Sequence, residues 1–520
     1  MPRETTPCYP VCDEIDYEKQ SPTFVSPTPV PIQLIEKDVD LSSAISVGSK
    51  QRRWLLKFFK ELDVESRGIV PTLPEERTDP RYLKIFFIWL SANCNILSFS
   101  AGTVGPILFD LSLKYSAAVI VGFNLIGLVL PGYFSTFGPK LGMRQMVQSR
   151  YSWGYFGAIL PATLNAATMM GFMILNCVLG GETLASVSNG RISWNVGIVV
   201  IAVASLFISF CGYRVLNWYE RVAWVPILVI FVIMLGVGGK NLSNVLAEVA
   251  PPTARQIMSF GSTIIGFVVS YCALSSDFAT YLEIDTPSWK VFLSSYLGLL
   301  LPVALVQVLG AAFAAALVSV PEWTAGYDAY NVGGLIRTIL LDAGHGFGGF
   351  LTVIMALSVT ANVAPTLYSS SLNIQIIFPP LGRLPRYAFS VVATAILIPL
   401  SIVGKTRFYL NLYNFLGIVG YWSAMFASVV VVEHWLIRRG DWETGYDATA
   451  WNRWKELPTG LAALAASLAS CALVWAVMDQ GWWVGPIAKT TGDIGFEAAF
   501  VLTAILYAPL RLLEHRLIRR

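Results

Sequence analysis

Charge is scarce in this chain of 520 residues. Asp, Glu, Lys and Arg together make up 13% of it, against 55% apolar residues, where a soluble domain carries about a quarter charged. The 36 basic and 33 acidic residues leave a net charge of only +3, with no lysine-rich block. The electrostatic footprint of nucleic-acid binding is therefore missing. Three histidines leave little room for a His-based catalytic or metal-binding constellation, and no Ser/His/Asp or Cys/His set stands out. Seven cysteines (Cys8, Cys12, Cys94, Cys177, Cys211, Cys272, Cys471) are scattered. Four of them lie inside apolar runs and read as small packing residues, not as a disulfide framework. Cys8 and Cys12 have CxxxC spacing but lack the second ligand pair of a structural zinc site. No apolar h-region follows Met1, so no cleavable signal peptide is expected. The glycine-rich stretch 344–349 lacks GxxxxGK[ST] and reads as a flexible approach to a helix, not a phosphate loop. The stretches between apolar runs are too short for a catalytic domain, so an enzyme is the less expected class.

Long apolar runs are what the chain has instead. Mean hydropathy is +0.60, and the runs outlast any ordinary core helix. A bilayer-crossing helix needs roughly 20 mostly apolar residues. Twelve such spans are expected, near 84–109, 115–136, 157–184, 194–212, 222–239, 258–280, 291–319, 347–372, 387–404, 409–436, 459–478 and 495–511. The fold class this predicts is an all-α membrane protein. Residues 1–80 differ: Pro7, Pro10, Pro22, Pro27, Pro29 and Pro31 punctuate a polar stretch that cannot bury a core, expected to be a disordered cytosolic tail. Within it, 54–62 is basic and amphipathic, with Arg52, Arg53, Lys57 and Lys60 beside Trp54, Leu55, Phe58 and Phe59. It reads either as a helix lying on the inner membrane face or as a short solvated helix. Residues 81–436 hold spans 1–10, and 437–520 a cytosolic loop, two further spans and a short tail.

Loop charge orients the chain. The loops after even-numbered spans carry twelve basic residues and the opposite loops eight, and Arg511, Arg516, Arg519 and Arg520 add to the first side. The positive-inside rule then places both termini in the cytosol.

Two segments look like a pair of interrupted helices. One is 96–106, ILSFSAGTVGP, in span 1; the other is 270–277, SYCALSSD, in span 6. They sit five spans apart, as in transporters whose inverted five-helix repeats unwind at the midplane. Small polar residues also mark ordinary helix-packing seams, and the pattern alone does not separate the two. Polar residues in apolar spans are costly and face a bundle interior or cavity. Here they include Asn93, Asn95 and Ser98 in span 1, Asn165 and Asn176 in span 3, Tyr271 and Asp277 in span 6, Asn362 and Thr366 in span 8, and Tyr421, Trp422, Glu433 and His434 in span 10. An amide both donates and accepts, which suits the mixed edge of a nucleobase; the plain alternative for Asn176 and Asn362 is an interhelical hydrogen bond. Tyr271, Phe172 and Trp422 are candidates to stack on an aromatic ring. Asp277, near the span-6 interruption, is either a proton carrier or a hydrogen-bonding anchor for a broken helix.

These residues together resemble the fungal purine–cytosine permeases of the nucleobase–cation symporter family. The likeness covers roughly 75–515. It rests on Leu97-Ser98-Phe99-Ser100-Ala101-Gly102 with Gly105-Pro106, on Gly171 to Asn176, on Ser276-Asp277-Phe278, on Ala361-Asn362-Val363-Ala364-Pro365-Thr366-Leu367-Tyr368-Ser369, and on Gly420-Tyr421-Trp422 followed by Glu433-His434. The resemblance implies a LeuT-like core of two inverted five-helix repeats with two peripheral helices. It implies proton-coupled import of cytosine or a purine across the plasma membrane, with no cofactor. A small heterocyclic substrate and the lipid bilayer are the implied partners. Carried over by position, the family's substrate serine falls on Ser98, its span-3 asparagine on Asn176 and its span-8 asparagine on Asn362. Where the family tends to place tryptophan, this chain has Phe172 and Tyr271, and Thr366 replaces a second span-8 asparagine. The expected substrate site is thus Ser98, Phe172, Asn176, Tyr271, Asn362 and Thr366, with Asp277 as the candidate for ion coupling. The departures point to a planar nitrogen heterocycle that need not be one of the family's usual bases; a vitamin, allantoin or a secondary metabolite is the alternative cargo.

Overall fold

The computed structural model describes residues 68–188, 191–210, 219, 221–242, 251–383 and 386–518. The amphipathic stretch 54–62 and nearly all of the proline-rich tail lie outside them. The described residues are overwhelmingly helical, with strand pairing confined to a hairpin of Asp479–Gln480 on Trp483–Val484 and an isolated bridge between Asp79 and Leu282.

All twelve expected spans are present. Span 1 is a bent pair, Leu83–Asn93 and Ile96–Phe109, and Trp194–Phe210 and Leu461–Val477 are shorter apolar helices forming spans 4 and 11. One apolar stretch, Ala388–Ile437, is 50 residues long. At about 1.5 Å per residue it would reach more than twice across the hydrocarbon layer. It divides at Lys405–Arg407 into spans 9 (Arg386–Gly404) and 10 (Phe408–Val432). A further helix, Pro321–Leu341, lies between spans 7 and 8 and is kinked at Tyr330 and Asn331, where Asn331 takes a left-handed φ of 42°.

The interruption of span 1 falls earlier than its small-residue stretch suggests. The two halves meet at 58°, and the break is at Cys94-Asn95, not within 98–105. Asn95 is extended (φ −150°), and its side chain serves both helix ends. Its Oδ1 accepts the Ser98 backbone N–H at 3.0 Å, and its Nδ2 donates to the Ala92 carbonyl at 2.7 Å. One amide therefore supplies an N-cap for the second half and a partner for an orphan carbonyl of the first. Residues 98–105 are regular helix, and they are the packing seam. A Cβ on Gly102 would sit 1.8 Å from the Gln307 carbonyl oxygen of span 7 (Ser288–Ala315), and one on Gly310 would sit 2.0 Å from that of Phe99. The two backbones touch where only glycine fits.

The interruption of span 6 falls where the sequence placed it. The helix Ala254–Val269 gives way to single 3-10 turns at Ser270–Ala273 and Ser275–Phe278, hinged at Leu274 (φ −144°, ψ 0°). Span 8 is His345–Leu357 and Thr360–Ile377. Pro365 within it has no N–H to give to the preceding turn, which leaves a backbone carbonyl there free. Span 3 (Ile159–Val187) packs along span 8, and these two helices face the breaks of spans 1 and 6.

Candidate functional site

A cavity lies where the breaks meet spans 3 and 8. It measures about 560 Å³ counting the space at its mouth. Span 1 contributes Ile88, Trp89 and Ala92; span 3 contributes Asn165, Thr168, Met169 and Phe172. Span 6 supplies Ser270, Tyr271, Leu274 and Phe278, and span 8 supplies Asn362, Pro365, Thr366 and Ser369. The wall is apolar and aromatic with a few amides and hydroxyls, and no charged side chain lines it.

The aromatic members are held by one another and by the breaks. Trp89 meets Tyr271 edge-on with ring centroids 5.1 Å apart, and Phe278 at 5.3 Å. Phe172 stands edge-on to Phe267 at 5.8 Å and to Phe415 at 5.1 Å. The Tyr271 hydroxyl donates to Asn93 Oδ1 at 2.6 Å, and Asn93 Nδ2 donates to the Trp89 carbonyl. Span 6 is thereby tied to span 1 beside both interruptions, and the Tyr271 ring is fixed as part of the wall.

Asn362 links three helices. Its Nδ2 donates to the Ala92 carbonyl at 2.9 Å, and its Oδ1 accepts from Asn176 Nδ2 at 3.0 Å. Asn176 also donates to the Phe172 carbonyl at 2.8 Å. The Asn362 amide is also hydrogen-bonded to the Tyr271 hydroxyl, so a ligand that reads it does so by exchanging one of these bonds. Thr366 donates to the Asn362 carbonyl at 2.6 Å, which leaves its oxygen free to accept. The neighbouring Ser358 Oγ, at the kink of span 8, accepts the Ile96 N–H at 3.2 Å.

Of the residues expected from sequence, the structure gathers Phe172, Tyr271, Asn362 and Thr366 around the cavity. It leaves Ser98, Asn176 and Asp277 out of its lining. Ser98 is fully buried in the first turn after the span-1 break, where its N–H is capped by Asn95 and its hydroxyl has no hydrogen-bond partner. Asn176 is fully buried behind Asn362, so the interhelical hydrogen bond describes it. Asp277 Oδ1 accepts the Gln145 N–H at 2.8 Å, and Arg144 donates to the Asp277 carbonyl; this anchors the end of span 6 to the loop between spans 2 and 3. Trp422 and Tyr421 stand away from the cavity too. Trp422 Nε1 donates to Thr168 Oγ1 at 3.0 Å, and Tyr421 is bonded to Asp493 and Gln480. Glu433 is paired with Arg438 and Arg511 at the end of span 10, and His434 packs on Trp442.

Sequence reasoning missed Trp89, Thr168 and Met169, and named Ser369 only as the last residue of the span-8 motif. Trp89 lies four residues before Asn93 and so on the same helix face, which is the one signal that marked it. Thr168 and Met169 are ordinary residues for an apolar helix and carried none.

Residues 72–496 match the family model described as permease for cytosine/purines, uracil, thiamine, allantoin. The chain is 34% identical over 446 residues to the purine-cytosine permease FCY21 of Saccharomyces cerevisiae, covering 85% of this chain and 84% of that one. It is 33% identical to the purine-cytosine permease fcyB of Emericella nidulans, covering 87% and 89%. The vitamin B6 transporter TPN1 of Saccharomyces cerevisiae is 29% identical, covering 89% and 90%. Among solved structures, inward-facing Mhp1 gives a TM-score of 0.65 at 18% identity, covering 87% of this chain and 96% of Mhp1. Mhp1, a nucleobase-cation-symport-1 family transporter, in a closed conformation with bromovinylhydantoin bound, gives 0.63 at 17%, covering 88% and 96%. The fold is thus the LeuT-like one, two inverted five-helix repeats followed by two peripheral spans, and the chain belongs to the family of membrane permeases for cytosine, purines and related compounds.

Proposed function

We propose that this protein is a secondary active transporter, not an enzyme, that imports a purine, cytosine or a related planar nitrogen heterocycle across the plasma membrane, coupled to protons, with both termini cytosolic. The observation that carries the reading is the cavity itself. It has flat aromatic walls at Tyr271, Phe172 and Trp89, an amide at Asn362 and a hydroxyl at Thr366, and it sits against both helix interruptions. A ring stacked on aromatic faces gains dispersion and quadrupole attraction without needing a counter-charge, and the absence of charge from the wall suits a neutral base. Asn362 and Thr366 read its polar edge, while Asn176 holds Asn362. Alternating access comes from rocking spans 1, 2, 6 and 7 against 3, 4, 8 and 9. Uptake of labelled cytosine, adenine, guanine and hypoxanthine by cells lacking their own permeases tests this. Accumulation that is saturable and abolished by collapsing the proton gradient supports it; no accumulation above untransformed cells refutes it.

A vitamin or similar heterocycle is the second reading. The relative transporting vitamin B6 and the chain's own departures, Phe172, Tyr271 and Thr366, favour it. A competition panel of pyridoxine, thiamine and allantoin against the labelled base separates the two.

A further inference from the structure

The polar lining does not stop at Asn362 and Thr366. Ser369 and Asn165 also line the cavity, each about 1% exposed. The Ser369 hydroxyl has no hydrogen-bond partner, and neither has the Asn165 Oδ1. Asn165 Nδ2 donates to the Ala273 carbonyl at 3.2 Å, within the interruption of span 6, so that amide is oriented with its oxygen left over. Buried polar atoms without partners cost free energy and are uncommon in native proteins, and a cavity wall is where a ligand relieves them. Ser369 follows Asn362 by seven residues and Asn165 precedes Phe172 by seven. Each displacement is about 10 Å along its helix. The two spans run antiparallel, as the Asn176–Asn362 and Met169–Asn373 pairs show, so both displacements lead the same way down the cavity. A bare ring held at Asn362 and Phe172 leaves these atoms unanswered.

We propose that the cavity takes a planar heterocycle carrying a neutral arm that ends in a hydroxyl, with Ser369 and Asn165 as the arm's subsite. The inference rests on the heterocycle reading above and narrows its substrate class. Asn165 lies about 6 Å or more beyond Ser369 along the cavity, so the end group meets one or the other according to the arm's length; a hydroxyl suits both, because it can donate to Asn165 Oδ1, which only accepts, and pair with Ser369 either way. A carboxylate or phosphate arm is disfavoured twice over. It would face that oxygen with its own lone pairs, and no cationic side chain lines the cavity to compensate for its desolvation.

The test is competition against labelled-ring uptake by the full chain. It uses adenine, a series of 9-(ω-hydroxyalkyl)adenines with two, three and four carbons, and their 9-alkyl counterparts ending in methyl. One hydrogen bond is worth about a factor of 10 in affinity. The expected result is that, at the arm length that fits, the hydroxyl compound inhibits about 10-fold better than its methyl counterpart. At the arm length that reaches Ser369, Ser369→Ala should cut that ratio to below about threefold, each hydroxyl compound being compared with its methyl counterpart in the same variant. Since the Ser369 hydroxyl makes no hydrogen bond, the substitution breaks none, and it decides the question even if Asn165→Ala, which loses the tie to Ala273, fails to reach the surface. Equal inhibition by hydroxyl and methyl compounds at every arm length overturns the inference, as does a ratio that Ser369→Ala lowers at no arm length. If adenine and all its derivatives fail to compete, the heterocycle reading falls first and takes this one with it.

Discussion

Asn176 reaches the cavity only through Asn362, and that makes it the most discriminating position to perturb. Asn176→Ala removes the donor to Asn362 Oδ1 and the bond to the Phe172 carbonyl. The second loss is minor, since that carbonyl belongs to a helix ladder. The first leaves a buried amide oxygen unpaired, a cost of about 1–3 kcal/mol, or roughly 5–150-fold in an equilibrium constant. Asn362 can escape it only by turning its amide and giving up the bond to Ala92. The unpaired oxygen alone burdens free and bound protein alike; the turn that relieves it takes the Asn362 amide out of its binding orientation, and substrate affinity should fall by roughly one to two orders of magnitude although Asn176 does not touch the cavity. A residue that acts only through another has no effect once that other is gone. In an Asn362→Ala background, adding Asn176→Ala should change affinity by no more than about 0.5 kcal/mol, against the sum of the two single losses for independent sites. Direct binding of labelled base to purified protein, at concentrations up to the millimolar range, reads all four corners of the cycle, and surface abundance checks folding. Strict additivity would refute the relay and return Asn176 to the substrate.

Asp277→Asn keeps an oxygen to accept the Gln145 N–H, so uptake and its pH dependence should both persist, whereas Asp277→Leu should lower thermal stability by about 1–3 kcal/mol; loss of proton dependence in Asp277→Asn would make this carboxylate the coupling group. Gly102→Val drives a side chain into the Gln307 carbonyl, and surface delivery should be lost; normal delivery with normal uptake would show that spans 1 and 7 do not meet at this seam. Thr366→Asn places a second amide on the cavity wall and should move the competition profile toward ordinary nucleobases, and an unaltered profile would acquit Thr366 of setting specificity.

The span count was legible because a bilayer imposes a length: an unbroken apolar run of about twenty residues is what crossing the hydrocarbon layer takes, and a soluble core helix seldom sustains one. The break in span 6 was legible too, because Ser275, Ser276 and Asp277 interrupt an otherwise apolar run and compete for backbone partners. In span 1 the same logic failed by a few residues. Gly102, Thr103 and Gly105 look like an interruption in one dimension and prove to be a contact surface in three, while the true hinge is made by one asparagine whose amide caps both ends. Side-chain direction was the harder loss. Successive residues of a helix point about 100° apart, so Ser369, Ser370 and Ser371 are equivalent in the sequence, and only the first faces the cavity. Asn176 and Asn362 were both identifiable as intramembrane amides, but which of them stands in front depends on the distance between spans 3 and 8, and no local pattern encodes that.

The ties across the breaks bear on how binding and movement are linked. Spans 3 and 8 bond to backbone ends at the interruptions of spans 1 and 6: Asn362 to the Ala92 carbonyl, which Asn95 also caps, Ser358 to Ile96, and Asn165 to Ala273. Spans 1 and 6 belong to one set of the proposed rocking motion, and spans 3 and 8 to the other. Relative motion of the sets has to stretch or exchange these bonds, and two of the three side chains involved also line the cavity. A ligand that engages Asn362 or Asn165 therefore competes with, or reinforces, the bonds that hold the two sets together. Such a ligand has different interaction energy in different arrangements of the bundle, which is the condition for binding to shift a conformational equilibrium at all. A substrate site confined to one of the two sets could bind as tightly and move nothing.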